Sequence, residues 1–172
     1  MSDTTTTPAS PSATPAPVVR TTDHATFSLE RTLAAPPTRV FAAFADQASK
    51  AAWFVGPLDS ATGGHSLDFR VGGREHLATE LPDGDTVTFD ATYLDIVPDE
   101  RLIYAYEMTY AGRRISASLA SIELRAAPGG THLALTEHGI FLDGLDRVSE
   151  RERGTRELLD KLAAHVDEGV SR

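Results

Sequence analysis

Apolar and polar positions change rhythm several times along this chain. From Ala25 to Leu33 they alternate, with Phe27, Leu29, Arg31 and Leu33 on one side. Alternation of this kind predicts a half-buried strand. Ala34-Ala35-Pro36-Pro37 interrupts it. Prolines suit a helix start, where the first N–H groups lack partners anyway. Val40, Phe41, Phe44 and Ala48 then recur at helical spacing. They predict a helical stretch that kinks near Asp46, runs on to Trp53-Phe54 and stops at Gly56-Pro57.

From Ser66 to Phe141 the period is mostly two. Leu67, Phe69 and Val71 alternate with Asp68 and Arg70. Gly72-Gly73 follows as a turn, and Arg74 to Leu81 is the return strand. Pro82-Asp83-Gly84-Asp85 is a hairpin turn, and Thr86 to Val97 a long strand. Apolar parity switches there between Ala91 and Leu94, which predicts a bulge. Strands are also expected over Arg101 to Tyr110, Arg113 to Arg125 and Thr131 to Phe141. Hairpin turns between them imply antiparallel neighbours.

The last segment, Leu145 to Val166, reads as a helix. Its charged first half (Asp146, Arg147, Glu150, Arg151, Glu152, Arg153) reads as a solvated face. Its second half carries an apolar stripe of Leu158, Leu159, Leu162 and Val166. The order is therefore strand, helical pair, six antiparallel strands, long helix: an α+β domain. A meander of strands has one dry face. The long C-terminal helix is the only element large enough to cover it.

Composition narrows the function. The chain has 172 residues, of which 41% are hydrophobic, enough for one domain with a core. The formal net charge is -9, so neither nucleic acid nor an anionic membrane surface is an expected partner. The absence of cysteine excludes disulfides and thiolate metal sites. No apolar run is long enough to span a bilayer. Residues 1–22 are rich in Thr, Pro, Ser and Ala and lack the apolar stretch of a signal peptide, so a disordered tail and a cytoplasmic location are expected. The domain is assigned to residues 23–168.

Four stretches carry a resemblance. They are Arg31-Thr-Leu-Ala-Ala-Pro36-Pro-Thr-Arg-Val40-Phe41, Phe69-Arg-Val-Gly72-Gly73-Arg74, Tyr93-Leu-Asp-Ile96-Val97-Pro98-Asp-Glu100-Arg101-Leu102 and Gly130-Thr-His-Leu133-Ala-Leu135-Thr136-Glu137. Their order and spacing resemble the bacterial proteins similar to the activator of the heat-shock-protein-90 ATPase. That family lies in the START-related helix-grip (SRPBCC) superfamily. The resemblance implies a curved seven-stranded antiparallel sheet wrapped around a long C-terminal helix. It also implies a cavity between them for an apolar or amphipathic small molecule. Such proteins often carry Trp after a Gly in the last helix; here Thr155 follows Gly154, which implies a reshaped cavity.

The candidate chemistry lies on predicted inner faces. Tyr104 and Tyr106 share parity with Leu102, and Trp53 and Phe54 end the helical pair, where the fold closes its cavity. Glu137 shares parity with Leu133 and Leu135, and Glu75 with Leu77. Inward charges must be paired or solvated, and Arg31 is the expected partner of Glu137 across the neighbouring first and last strands. Gly154 costs about 1 kcal/mol relative to alanine inside a helix, so close approach to sheet or ligand, or a kink, is expected there. The candidate ligand contacts are Arg31, Trp53, Phe54, Phe69, Glu75, Tyr104, Tyr106, Glu137, Gly154 and Leu158. His65 is expected in a loop and His76 on the outer face. Glu137 and His138 point to opposite faces, so no metal site or cofactor is expected.

Three functions are compatible with these residues. The first is binding of a small apolar or amphipathic molecule, with a homodimer as a further option. The second is a cyclase- or hydrolase-like enzyme using an inward Glu and Tyr as acid and base. The third is a co-chaperone-like ATPase-activator module.

Overall fold

Consecutive strands joined by turns pair with their predecessors, and this dictates most of the sheet. A computed structural model describes residues 20–55 and 64–168. The elements are β1 (Thr22–Leu33), α1 (Pro37–Ala45), α2 (Gln47–Phe54), β2 (His65–Leu67), β3 (Arg74–Glu80), β4 (Thr86–Val97), β5 (Arg101–Tyr110), β6 (Arg113–Ala127), β7 (Gly130–Leu142) and α3 (Val148–Asp167). The seven antiparallel strands run β1-β7-β6-β5-β4-β3-β2. β1 closes one edge against β7, from Thr22 opposite Leu142 to Leu33 opposite Thr131.

The sheet curves where its registers slip. The β4–β5 pairing shifts between Tyr93 and Asp95, where the apolar parity switches. A second shift, between Met108 and Thr109, leaves both Ile115 and Ser116 of β6 buried. That bulge is not visible in the apolar pattern. Bulges bend and twist a strand, so the sheet wraps rather than lies flat.

α3 crosses the concave face. Leu159, Leu162 and Val166 pack there with Leu33, Val40, Leu102, Ile122 and Leu133. α1 and α2 meet at Asp46, whose side chain accepts the Ser49 N–H at 2.7 Å and caps α2. The Trp53 indole donates to the Ala43 carbonyl at 2.9 Å and locks the pair. Among the described residues no helix is long and apolar enough to cross a membrane.

Several boundaries differ from the sequence reading. Phe69 and Val71 are not in a strand, because β2 stops at Leu67. The chain folds back tightly there: a Cβ on Gly73 would lie 2.0 Å from the Asp68 carbonyl oxygen. α3 begins at Val148 rather than near Leu145, because Asp143 and Gly144 adopt left-handed backbone (φ 56° and 65°) and turn the chain first. β1 already includes Thr22, and Arg20 and Thr21 bond to Asp143. The remainder of the expected tail and the Gly56-Pro57 helix stop lie outside the described residues.

Candidate ligand cavity

The inner face of β6 changes size along its length. Leu124 and Ile122 are large and lie under the packed half of α3; Ala120, Ser118 and Ser116 are small. A cavity of about 500 Å³ opens between the sheet and the first half of α3. Phe89, Tyr104, Tyr106 and Met108 form one wall, Trp53 and Phe54 close an end, and Gly154, Thr155 and Leu158 form part of the roof. Aromatic rings meet edge to face across this wall, including Phe54 on Phe89 at 5.2 Å between centroids.

Gly154 belongs to this roof. A Cβ there would meet nothing within 4 Å, and α3 is one unbroken helix. Close approach to the sheet therefore does not account for the glycine, which leaves room at the cavity roof. Gly154→Ala should stabilise the protein by about 0.5–1 kcal/mol, since alanine is the better helix former and nothing obstructs its methyl group. A urea midpoint that stays put or falls would contradict this.

Tyr104 and Glu137, which line the cavity, belong to one cross-strand row. Tyr93 of β4 lies opposite Tyr104 of β5, then Ala120 of β6 and Glu137 of β7. Ala120, at the middle of this row, is buried in a small cluster against which Tyr104 packs. The Tyr104 hydroxyl has no hydrogen-bond partner among the described residues. Burial raises its pKa well above the ordinary value, and neighbouring Tyr106 and Glu137 add to this. It is therefore a neutral phenol at physiological pH, able to donate or accept.

Glu137 is held by a buried polar cluster. Its Oε1 accepts the Ser118 hydroxyl at 2.9 Å and an Arg151 N–H at 3.2 Å. Arg151, on the first turns of α3, also donates to the Tyr106 hydroxyl at 2.8 Å, to the Ser116 hydroxyl at 2.7 Å and to Asp146. Burial pulls the guanidinium pKa down. Tyr106, Glu137 and Asp146 outweigh it and leave the pKa raised, so Arg151 is a fixed cation.

A second buried cluster lies behind the aromatic wall. Lys50 of α2 donates to Glu75 at 2.5 Å and to the Tyr93 hydroxyl at 3.1 Å. Tyr93 donates to the same Glu75 oxygen at 2.7 Å, and His65 bonds the other at 2.9 Å. Burial works to raise the Glu75 pKa, but Lys50, His65 and Tyr93 together bring it below the usual carboxylate value.

This geometry can be set beside known proteins. A model of the family described as activator of Hsp90 ATPase homolog 1-like proteins matches residues 34–167. The chain belongs to this family. A solved structure from Rhizobium leguminosarum is 41% identical, covers 87% of this chain and 99% of its own, and superposes with a TM-score of 0.83. One from Rhizobium loti is 44% identical over 84% of this chain and 99% of its own, with a TM-score of 0.78. One from Chromobacterium violaceum is 29% identical over 83% and 96%, with a TM-score of 0.69. No curated protein matches. Fold and membership of this activator-like family support a general ligand-binding helix-grip cavity.

In this family member the expected contacts divide. Trp53, Phe54, Tyr104, Tyr106, Glu137, Gly154 and Leu158 line the one cavity. Arg31, Phe69 and Glu75 do not. Arg31 lies opposite Leu133 and Glu137 opposite Phe27, four residues apart along β1, so the expected Arg31–Glu137 pair does not form. Arg31 instead reaches Asp160 of α3 at 3.0 and 2.9 Å. Phe69 packs edge-on against Phe41 and Tyr93. Glu75 points inward as expected but is enclosed by Lys50, Tyr93 and His65. His65 is not in a loop; it belongs to β2 with a buried side chain.

Two residues escaped the sequence reading. Arg151 was placed on a solvated face, yet its side chain is only 8% exposed. It lies eight residues before Leu159 and continues that buried stripe backwards, which is the signal that marks it. Lys50 gave no comparable sign, because a lysine on a short helix ordinarily reads as solvent-facing.

Proposed function

We propose that this protein binds a small, mainly apolar molecule with a polar group, in the cavity beneath the first half of α3. The observation that carries this is an aromatic-walled space of about 500 Å³ lined by both the Tyr104 phenol and the Glu137 carboxylate. Cavities of this size, apolar with a few convergent polar groups, suit small-molecule ligands. The apolar walls supply affinity through burial, and the polar groups orient the ligand.

The chain contains one tryptophan, Trp53, and it lines the cavity. Its fluorescence therefore reports occupancy directly. Titration with the neutral apolar dye Nile red should quench it saturably. Gly154→Phe should place a ring in the cavity without a Cβ clash. It should weaken dye binding about tenfold or more, the loss of roughly one buried aromatic contact area, while thermal stability is retained. Unchanged dye affinity in a folded Gly154→Phe protein would sink the proposal.

A further inference from the structure

We infer that the molecule held in this cavity is an amphipathic amine, bound as its ammonium ion beside Glu137. The inference rests on the small-molecule reading above and narrows its chemistry.

Glu137 is the starting point. Its side chain is 3% exposed. Ser118 and Arg151 both bond Oε1, and no described residue donates to Oε2. Oε2 is not sealed from its surroundings, since it is not among the buried atoms left without a partner, and it belongs to a residue that lines the cavity. A guest can therefore reach it, and the partner it takes is a hydrogen-bond donor.

Charge then selects among donors. In the buried cluster two carboxylates, Glu137 and Asp146, face one guanidinium, Arg151. At the mouth Glu150 and Glu157 face Lys161. Each group carries one formal negative charge in excess. In a site of low dielectric an excess charge is strongly felt, and an ammonium ion neutralises it where a hydroxyl does not. The surrounding rings favour the same choice, because a cation is attracted to an aromatic face.

A carboxylate ligand is disfavoured for a specific reason. Arg151 would be its natural counter-ion, but both terminal nitrogens are already committed. One donates to Tyr106 and Glu137, the other to Ser116 and Asp146. An anionic head group would have to break those bonds or sit unpaired against Glu137. The Tyr104 phenol can accept a second ammonium N–H, which leaves the amine's apolar body along the aromatic wall.

The test uses three ligands of one shape: phenylbutylamine, phenylbutanol and phenylbutyrate, titrated into the full-length protein by Trp53 fluorescence and calorimetry at neutral pH. The amine should bind about tenfold more tightly than the alcohol, and the carboxylate most weakly. In Glu137→Gln the preference of amine over alcohol should vanish while the alcohol still binds. The wild-type ranking stands as a test even if that variant fails to fold. Equal affinities, or a carboxylate that binds best, would overturn the ammonium inference and leave the cavity reading intact. Binding of none of the three, together with no binding of Nile red, would overturn both.

Discussion

Replacing Lys50 by methionine should lower the unfolding free energy by about 3–5 kcal/mol at neutral pH, the usual cost of removing one partner from a buried ion pair. The two side chains are 6% and 1% exposed, so water cannot replace the ammonium that is lost. Glu75 would keep only Tyr93 and His65. A Lys50→Met/Glu75→Gln double variant should recover most of the loss, because it removes the stranded charge along with its partner. Urea unfolding of the wild type, both single variants and the double variant measures the coupling, and a loss below about 1 kcal/mol in Lys50→Met would contradict it.

The same cluster sets an acid dependence. The folded-state pKa of Glu75 lies below its unfolded value. Its contribution to stability is therefore present above the unfolded carboxylate value, about 4.3, and is lost as pH falls through the lowered one. Burial presses the Lys50 pKa down in turn, against the attraction of Glu75. Three donors converge on the Glu75 carboxylate, and its ionised form governs the pair. The gap between wild type and Lys50→Met should accordingly narrow in acid.

The second large effect belongs to Arg151. Arg151→Leu should cost about 3–5 kcal/mol, since it strands two carboxylates and leaves the Tyr106 and Ser116 hydroxyls without their donor. An Arg151→Leu/Glu137→Gln double variant should recover part of the loss, because it removes one stranded charge along with its partner. Urea midpoints of the wild type, both single variants and the double variant give the comparison, and a loss below about 1 kcal/mol in Arg151→Leu would contradict it.

These two residues also mark where the sequence stops being legible. Strand alternation placed Tyr104, Tyr106, Glu75 and Glu137 on the inner face, and all four are there, because side-chain direction in a strand follows from parity alone. The Tyr93–Asp95 bulge showed itself in the same way, as a broken parity. The partners did not. Which cation meets Glu137 depends on how α3 lies across the sheet, and Arg31 and Arg151 differ there by geometry that no single strand encodes. Lys50 is invisible for the related reason that its burial is decided by β3 and β4, elements that follow it in the chain. The cavity depends on pairing as well, because only the registers of β5, β6 and β7 bring Tyr104 and Glu137 into one row.

The placing of the cavity roof has a consequence for how such a protein diversifies. Gly154 and Thr155 line the cavity from α3, while Leu159, Leu162 and Val166 further along the same helix hold it to the sheet. Helical backbone bonds close within the helix itself, so exchanges at Gly154 or Thr155 alter the room available to a guest while the anchoring residues stay the same. One helix thus carries a fixed foundation at one end and an adjustable gauge at the other. Descendants of a single scaffold can trade one guest for another there, without relearning how to fold.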